Sequence, residues 1–272
     1  MKTLRIARDG RGFPRLETLA LPFLTQGPTA TTADVEAAPE PSTMTSVRHV
    51  RAVSVPAGLL EVVNGACSRR LFLLVSGSLE VTVPHMRATL HEGDVLFVDV
   101  PERLAAAAEL TAAMGCSYLE VQVGAGWLPV GIVPPALDEE PRSDPSALRV
   151  VRMASDGERA HLTPFDALFT EWPARPQDVS ALTFICLSPS MTSDWHTEEG
   201  VTLLVVLAGG FEVEVGGNGG RRTLRPGDTC LVEDFEGQGH KSATHGETRF
   251  AALRLPRDHH WSGDANTGRT HP

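Results

Sequence analysis

The sequence predicts an all-β chain built from two tandem copies of one small β-barrel. Three observations carry this expectation. Short runs rich in Val, Leu and Thr lie between 25 glycines and 20 prolines scattered along 272 residues, as in many short strands joined by turns. Continuous helical periodicity is scarce. Three sequence blocks also recur in the same order in both halves, the mark of an internal repeat.

The first block pairs Leu4-Arg5-Ile6-Ala7-Arg8 with Leu148-Arg149-Val150-Val151-Arg152. The second pairs residues 71–81, with Gly77 near their end, with residues 203–213 around Gly209. The third pairs Gly93-Asp94 and the apolar run after it with Gly227-Asp228. The offset falls from 144 (Leu4 to Leu148) to 132 (Leu71 to Leu203), so the first half carries an insertion. Residues 25–46, rich in Thr, Ala, Pro and Glu, supply it and read as a flexible arm. Residues 104–114 are Ala-rich and helical by local propensity, yet their place in the repeat favours a strand or an irregular crossing. Pro134-Pro135 through Pro145 encloses Asp138-Glu139-Glu140 and reads as a linker. In the second half, Phe211, Val213 and Val215 alternate with Glu212 and Glu214, and Gly216-Gly217-Asn218-Gly219-Gly220 supplies a hairpin turn. The expected division is a first domain over 1–124, a linker over 125–147, a second domain over 148–257 and a polar tail over 258–272.

Composition narrows the function classes. Lys plus Arg is 24 against 34 for Asp plus Glu, a formal net charge of -10. Phosphate backbones attract the opposite sign, and Arg221-Arg222 is too small a basic face for nucleic acid. The most apolar segment, residues 203–211, is about half of what a membrane helix needs. The N-terminus shows no signal-peptide pattern, so a soluble cytoplasmic protein is expected. Cys67, Cys116, Cys186 and Cys230 form no CxxC pair and read as reduced, buried thiols.

Residues 195–246 resemble the cupin superfamily. That family is known by two motifs separated by a hairpin. The first holds two histidines one residue apart, then an acid, then a glycine; the second opens on Gly-Asp and closes on a third histidine. Counting back from Gly209, this chain offers His196, Glu198 and Thr202 where the family has His, His and Glu. Gly227-Asp228 opens the second motif and His240 closes it, two residues late. Trp195-His196 and the Glu233-Asp234…Gly237-Gln238-Gly239-His240 ending resemble a small-cupin subset. The resemblance implies jelly-roll barrels, a divalent transition metal (Fe, Mn, Ni or Zn) and a small-molecule substrate. Because cupin sheets have open edges that often pair between subunits, a homodimer is also expected.

The residues allow such a site. Two histidines with a carboxylate beside them suit these metals and leave positions open for water. Glu198, two residues from His196 in extended chain, shares its face, and the metal set is His196, Glu198 and His240. Unbound, Glu198 could serve as general base. Alternation places Leu204, Val206, Ser242 and Thr244 inward, and these line the expected pocket with Trp195 and Thr202; His245 faces outward. The first repeat, with Asn64, Ala66, Arg70 and Ala106 at the equivalent positions, keeps no such ligand. Three functions follow as expectations: a metal-dependent enzyme of oxygenase or isomerase type in the second barrel, a non-catalytic protein binding a small ligand or partner, and a regulator. The last is disfavoured because no helix-turn-helix pattern is present.

Overall fold

A computed structural model describes residues 1–26, 47–63, 69–100, 104–124, 150–157, 159–165, 167–170, 176–217 and 220–256. Among these the chain is almost entirely β, with one short helix, α1 (Ala167–Thr170). The strands' apolar patterning sets the architecture, because in each repeat one strand buries both of its faces.

In the first repeat, β1 (Thr3–Arg8), β2 (Pro14–Thr18), β4 (Val47–Val55), β6 (Arg70–Gly77), β9 (Val95–Val98) and β11 (Cys116–Val123) form a large sheet ordered β4-β11-β6-β9-β1-β2. A small sheet of β5 (Leu59–Val63), β10 (Ala108–Ala112), β7 (Leu79–Val83) and β8 (Met86–Leu90) faces it. The second repeat copies this. Its large sheet runs β13 (Ala160–Pro164), β12 (Val150–Ser155), β19 (Thr229–Glu233), β16 (Thr202–Ala208), β21 (Thr248–Arg254), β15 (Ala181–Leu187), and its small one β18 (Gly220–Leu224), β17 (Phe211–Val215), β20 (His240–Thr244). Residues 108–112 of the Ala-rich run are thus strand, as their context required, and β17 and β18 form the expected hairpin.

Even-numbered residues of β6, Phe72 and Leu74, point between the sheets of the first barrel, and Val206 of β16 does the same in the second. The odd-numbered residues Leu71, Leu73 and Val75 point the other way, into one shared cluster with Leu203, Val205 and Leu207. The two large sheets therefore pack back to back, with Phe97, Phe184, Leu231 and Leu253 between them. This explains why β6 and β16 are continuous apolar runs: neither face meets water.

The Gly-Asp turns lock that interface. Gly93 and Gly227 have φ of 76° and 87°. A Cβ on Gly93 would lie 2.2 Å from the Leu207 carbonyl oxygen, and one on Gly227 would lie 2.4 Å from that of Val75. Each turn thus presses a side-chain-free backbone against the opposite barrel. Asp94 and Asp228 hold the turns: Oδ2 accepts from the backbone N–H of His91 and of Arg225, both at 2.9 Å.

The halves also exchange strands. β3 (Phe23–Gln26) lies parallel to β15 at the edge of the second large sheet, and β14 (Gln177–Asp178) pairs with β4 at the edge of the first. Both exchanges cross the division expected between residues 1–124 and 148–257. Thr25 and Gln26 of the expected arm are strand; its residues 27–46, the linker over 125–147 and the tail over 258–272 lie outside the described residues.

The register corrects three sequence equivalences. Arg5 faces Phe97 on β9 and Arg152 faces Leu231 on β19, so Arg5 matches Arg152, not Arg149. Their partners match too, Asp99 for Arg5 and Glu233 for Arg152. Leu110 and Ser242 face Val81 and Val213, so His240 matches Ala108 rather than Ala106. Val63 faces Ala108 where His196 faces His240, so Val63, not Asn64, occupies the position of His196. Cys116, Cys186 and Cys230 are free and buried, while Cys67, Asn64 and Ala66 lie outside the described residues.

Candidate metal centre

The site sits where an irregular segment meets the edge strand of the small second sheet. Residues 188–200 run along β20 without forming a full strand, touching it at two bridges, Thr192 with Ala243 and His196 with His240. At the second bridge the two histidines exchange both backbone hydrogen bonds, at 2.9 and 2.8 Å. So close an approach requires Gly239: its φ is 70°, and a Cβ there would lie 1.8 Å from the His196 carbonyl oxygen. The Gly-His ending of the motif is therefore a steric device that lays one histidine strand over the other.

The imidazoles end with ring centroids 4.2 Å apart and planes at 54°. Glu198 joins them, and one ligand atom from each of His196, Glu198 and His240 lies within 4.8 Å of the others. Among the described residues no other such group of His, Cys, Asp or Glu occurs.

Each ring is oriented from behind. His240 Nδ1 lies 2.7 Å from Oδ2 of Asp234, which is fully buried. His196 Nδ1 lies 2.8 Å from the backbone carbonyl of Asp194. A carboxylate or carbonyl oxygen only accepts, so each Nδ1 donates and each Nε2 is left as the ring nitrogen with a lone pair. Glu198 Oε2 accepts from Arg254 Nη1 at 3.3 Å, while Arg254 also donates to the Gly200 carbonyl at 3.2 Å. That leaves Glu198 Oε1 for a cation.

Two imidazoles and a carboxylate, with the rest of the coordination sphere open, fit a transition metal of the Mn, Fe, Ni or Zn kind. Thr202, at the family's acid position, adds a buried hydroxyl whose oxygen has no partner among the described residues.

The other expected residues separate. Leu204 and Val206 lie on the inner face of β16. Ser242 faces inward beside Val213, its Oγ 3.3 Å from that of Ser193. Thr244 is buried with its hydroxyl spent on the loop: it donates to the Ser188 carbonyl at 2.7 Å and accepts from Met191 N–H at 2.9 Å. The Trp195 ring, 37% exposed, lies under Lys241 Nζ at 4.7 Å, and that ammonium pairs with Glu214 on the outward face of β17. Trp195 is thus placed outside the barrel wall.

Sequence reasoning assigned no role to Asp234, Arg254 or Cys230. Cys230 faces Leu204 inside the barrel, and burial, with the Asp234 and Glu198 carboxylates nearby, pushes its thiol up to about 12. In the first barrel Val63 and Ala108 replace the histidines. Beside them Arg70, expected at the position of Thr202, pairs with Glu61 at 2.7 Å and Glu120 at 3.4 Å as an ion-pair set.

No family model matches the chain, and neither does any curated protein. Solved structures do. A cupin 2 conserved barrel domain protein from Leptotrichia buccalis is 11% identical, with 80% of this chain and 91% of that one covered and a TM-score of 0.38. A protein of unknown function of the DUF861 family from Pseudomonas syringae pv. tomato is 18% identical over 93% of this chain and 100% of that one, at 0.39. The oxalate decarboxylase of Bacillus subtilis, described with Mn(II) centres, is 11% identical over 85% and 73%, at 0.29. At such TM-scores these likenesses decide nothing by themselves, and the assignment rests on features of the chain. The repeated two-sheet strand order, the paired Gly-Asp turns and the Gly-His edge give this chain a duplicated β fold of the kind that the cupin resemblance implies.

Proposed function

We propose that the second barrel holds one divalent transition metal on His196, Glu198 and His240 and acts on a small molecule there, as an enzyme of oxygenase or isomerase type. The observation that carries the reading is the pair of Nδ1 hydrogen bonds, which leave Nε2 of both rings unprotonated in a cluster that also holds the Glu198 carboxylate. Histidines that only packed against one another would not need a buried carboxylate to fix their tautomer.

When bound, the metal supplies Lewis acidity or a site for O₂ at its open positions. The chain's own residues do the rest. Asp234 holds His240, Arg254 holds one oxygen of Glu198, and Leu204 and Val206 exclude water from the inner wall. Titrating the metal-free chain with Fe(II), Mn(II), Ni(II) and Zn(II) in turn tests this: one equivalent of at least one of them binds below micromolar, and Glu198→Gln weakens it. Failure of all four sinks the metal reading. One observation favours the alternative, a non-catalytic barrel that binds a small ligand without metal: the Arg254 guanidinium already compensates Glu198. In that case Glu198→Gln changes ligand binding and no metal binds.

A further inference from the structure

The sheet register separates the two neighbouring arginines of β18. Arg221 stands on the outward face and is fully engaged, with Glu212 at 3.0 Å and Glu214 at 2.6 Å. Arg222 stands opposite Val213, a buried core residue of the second barrel, and so points inward. It is half-buried, and it has no hydrogen bond or ion pair with any described residue. Cys230, opposite Leu204 on the large sheet, lines the same interior, with Arg222, Asp234 and Glu198 all near its thiol. The guanidinium thus faces the interior that the metal set borders. Across the small sheet it belongs to the row Arg222, Val213, Ser242, next to the row that ends in His240.

The first barrel shows what the fold itself requires at these positions. Val81 matches Val213, and Val81 faces Ala88, so Ala88 takes the place of Arg222 and packs on the first barrel's core. Val63, Ala108 and Leu96 take the places of His196, His240 and Cys230. The same backbone is content with small and apolar side chains in all four places. Arg222 therefore varies together with the histidines and is not needed to build the sheet. A partly buried guanidinium to which the described residues give no anionic partner can be matched by an anion that a ligand supplies.

We propose that Arg222 is the anion anchor of the second barrel, and that its ligand is a small organic carboxylate whose other end faces His196, Glu198 and His240. A carboxylate matches the planar fork of one guanidinium through two parallel N–H···O bonds. This rests on the second barrel being the working site, but not on the metal.

Calorimetric titration of the full chain, with and without Mn(II), with acetate, malonate, succinate and benzoate and with their neutral amides tests it. At least one carboxylate binds, and its amide binds about ten-fold or more weakly, as expected for loss of a charge-assisted bond. Arg222→Gln brings the acid down to the amide's level while metal uptake and Tm stay unchanged. Arg222→Lys, which keeps the charge and loses the fork, lies between. Three results overturn the proposal: no carboxylate binds the wild type, acid and amide bind alike, or Arg222→Gln binds the acid as the wild type does. Metal content of the same samples separates the two readings. Arg222-dependent carboxylate binding without metal uptake leaves this inference standing and removes the metal, and the converse result does the reverse.

Discussion

Replacing Asp234 by Asn probes the site without touching a ligand. The carboxylate is fully buried, one oxygen accepts from His240 Nδ1 at 2.7 Å, and the other has no partner among the described residues. Asn keeps the volume and a neutral acceptor, so the metal-free fold should hold to within about 1 kcal/mol. What it loses is the charge behind the imidazole. Losing such an outer partner costs roughly ten- to a hundred-fold in metal affinity, or about 1.4–2.7 kcal/mol. Ligand linkage turns that into a thermal readout. With metal at about 100 times the wild-type Kd, wild-type protein gains about 2.7 kcal/mol, whereas the variant gains only about 0.4–1.4. Thermal unfolding with and without Mn(II) or Zn(II), with a chelator competition for Kd, measures both quantities. Equal metal stabilisation in the two proteins would refute the role given to Asp234.

Further outcomes follow from the fold. Gly227→Ala forces a Cβ to 2.4 Å from the Val75 carbonyl in a left-handed conformation, and should cost about 2–4 kcal/mol in chemical denaturation; an unchanged midpoint would contradict the back-to-back packing. Burial holds the thiols of Cys116 and Cys230 up to about 11 and about 12, from an ordinary value near 9. The folded chain then keeps protons the unfolded chain has released, so stability falls as pH rises from 9 towards 12, and Cys116→Ala and Cys230→Ala should flatten that slope. A homodimer is proposed from the remaining open edges, among them β5 with Leu60 and Val62 about half exposed; a monomer mass by light scattering at tens of micromolar would exclude it.

Much of this was legible in the chain because the repeat is anchored by residues with one physical job. Gly77 and Gly209, and Gly93 and Gly227, fall at matching turns because no side chain fits there. His196, Glu198 and His240 were legible from motif spacing and an extended backbone, and the structure brings them together. Their first-repeat equivalents were misplaced because Gly227 and His240 are thirteen residues apart while Gly93 and Ala108 are fifteen, and turn length leaves no trace in strand periodicity. The exchanged strand Gln177–Asp178 is two polar residues long and carries no pattern at all. The back-to-back packing was readable in the unbroken apolar runs of β6 and β16, since a strand with one wet face alternates. Asp234 was visible only as part of a motif, and its role needed the 2.7 Å contact.

The central claim is one metal in the second barrel and none in the first. Elemental analysis of protein purified without a polyhistidine tag, reconstituted with Mn(II) or Fe(II) and desalted, measures it directly. The account predicts one equivalent per chain in the wild type and in Glu61→Gln, which alters only the first barrel, and essentially none in His196→Ala or His240→Ala with the fold retained. Two equivalents in the wild type, loss of metal in Glu61→Gln, or full occupancy in either histidine variant would contradict it.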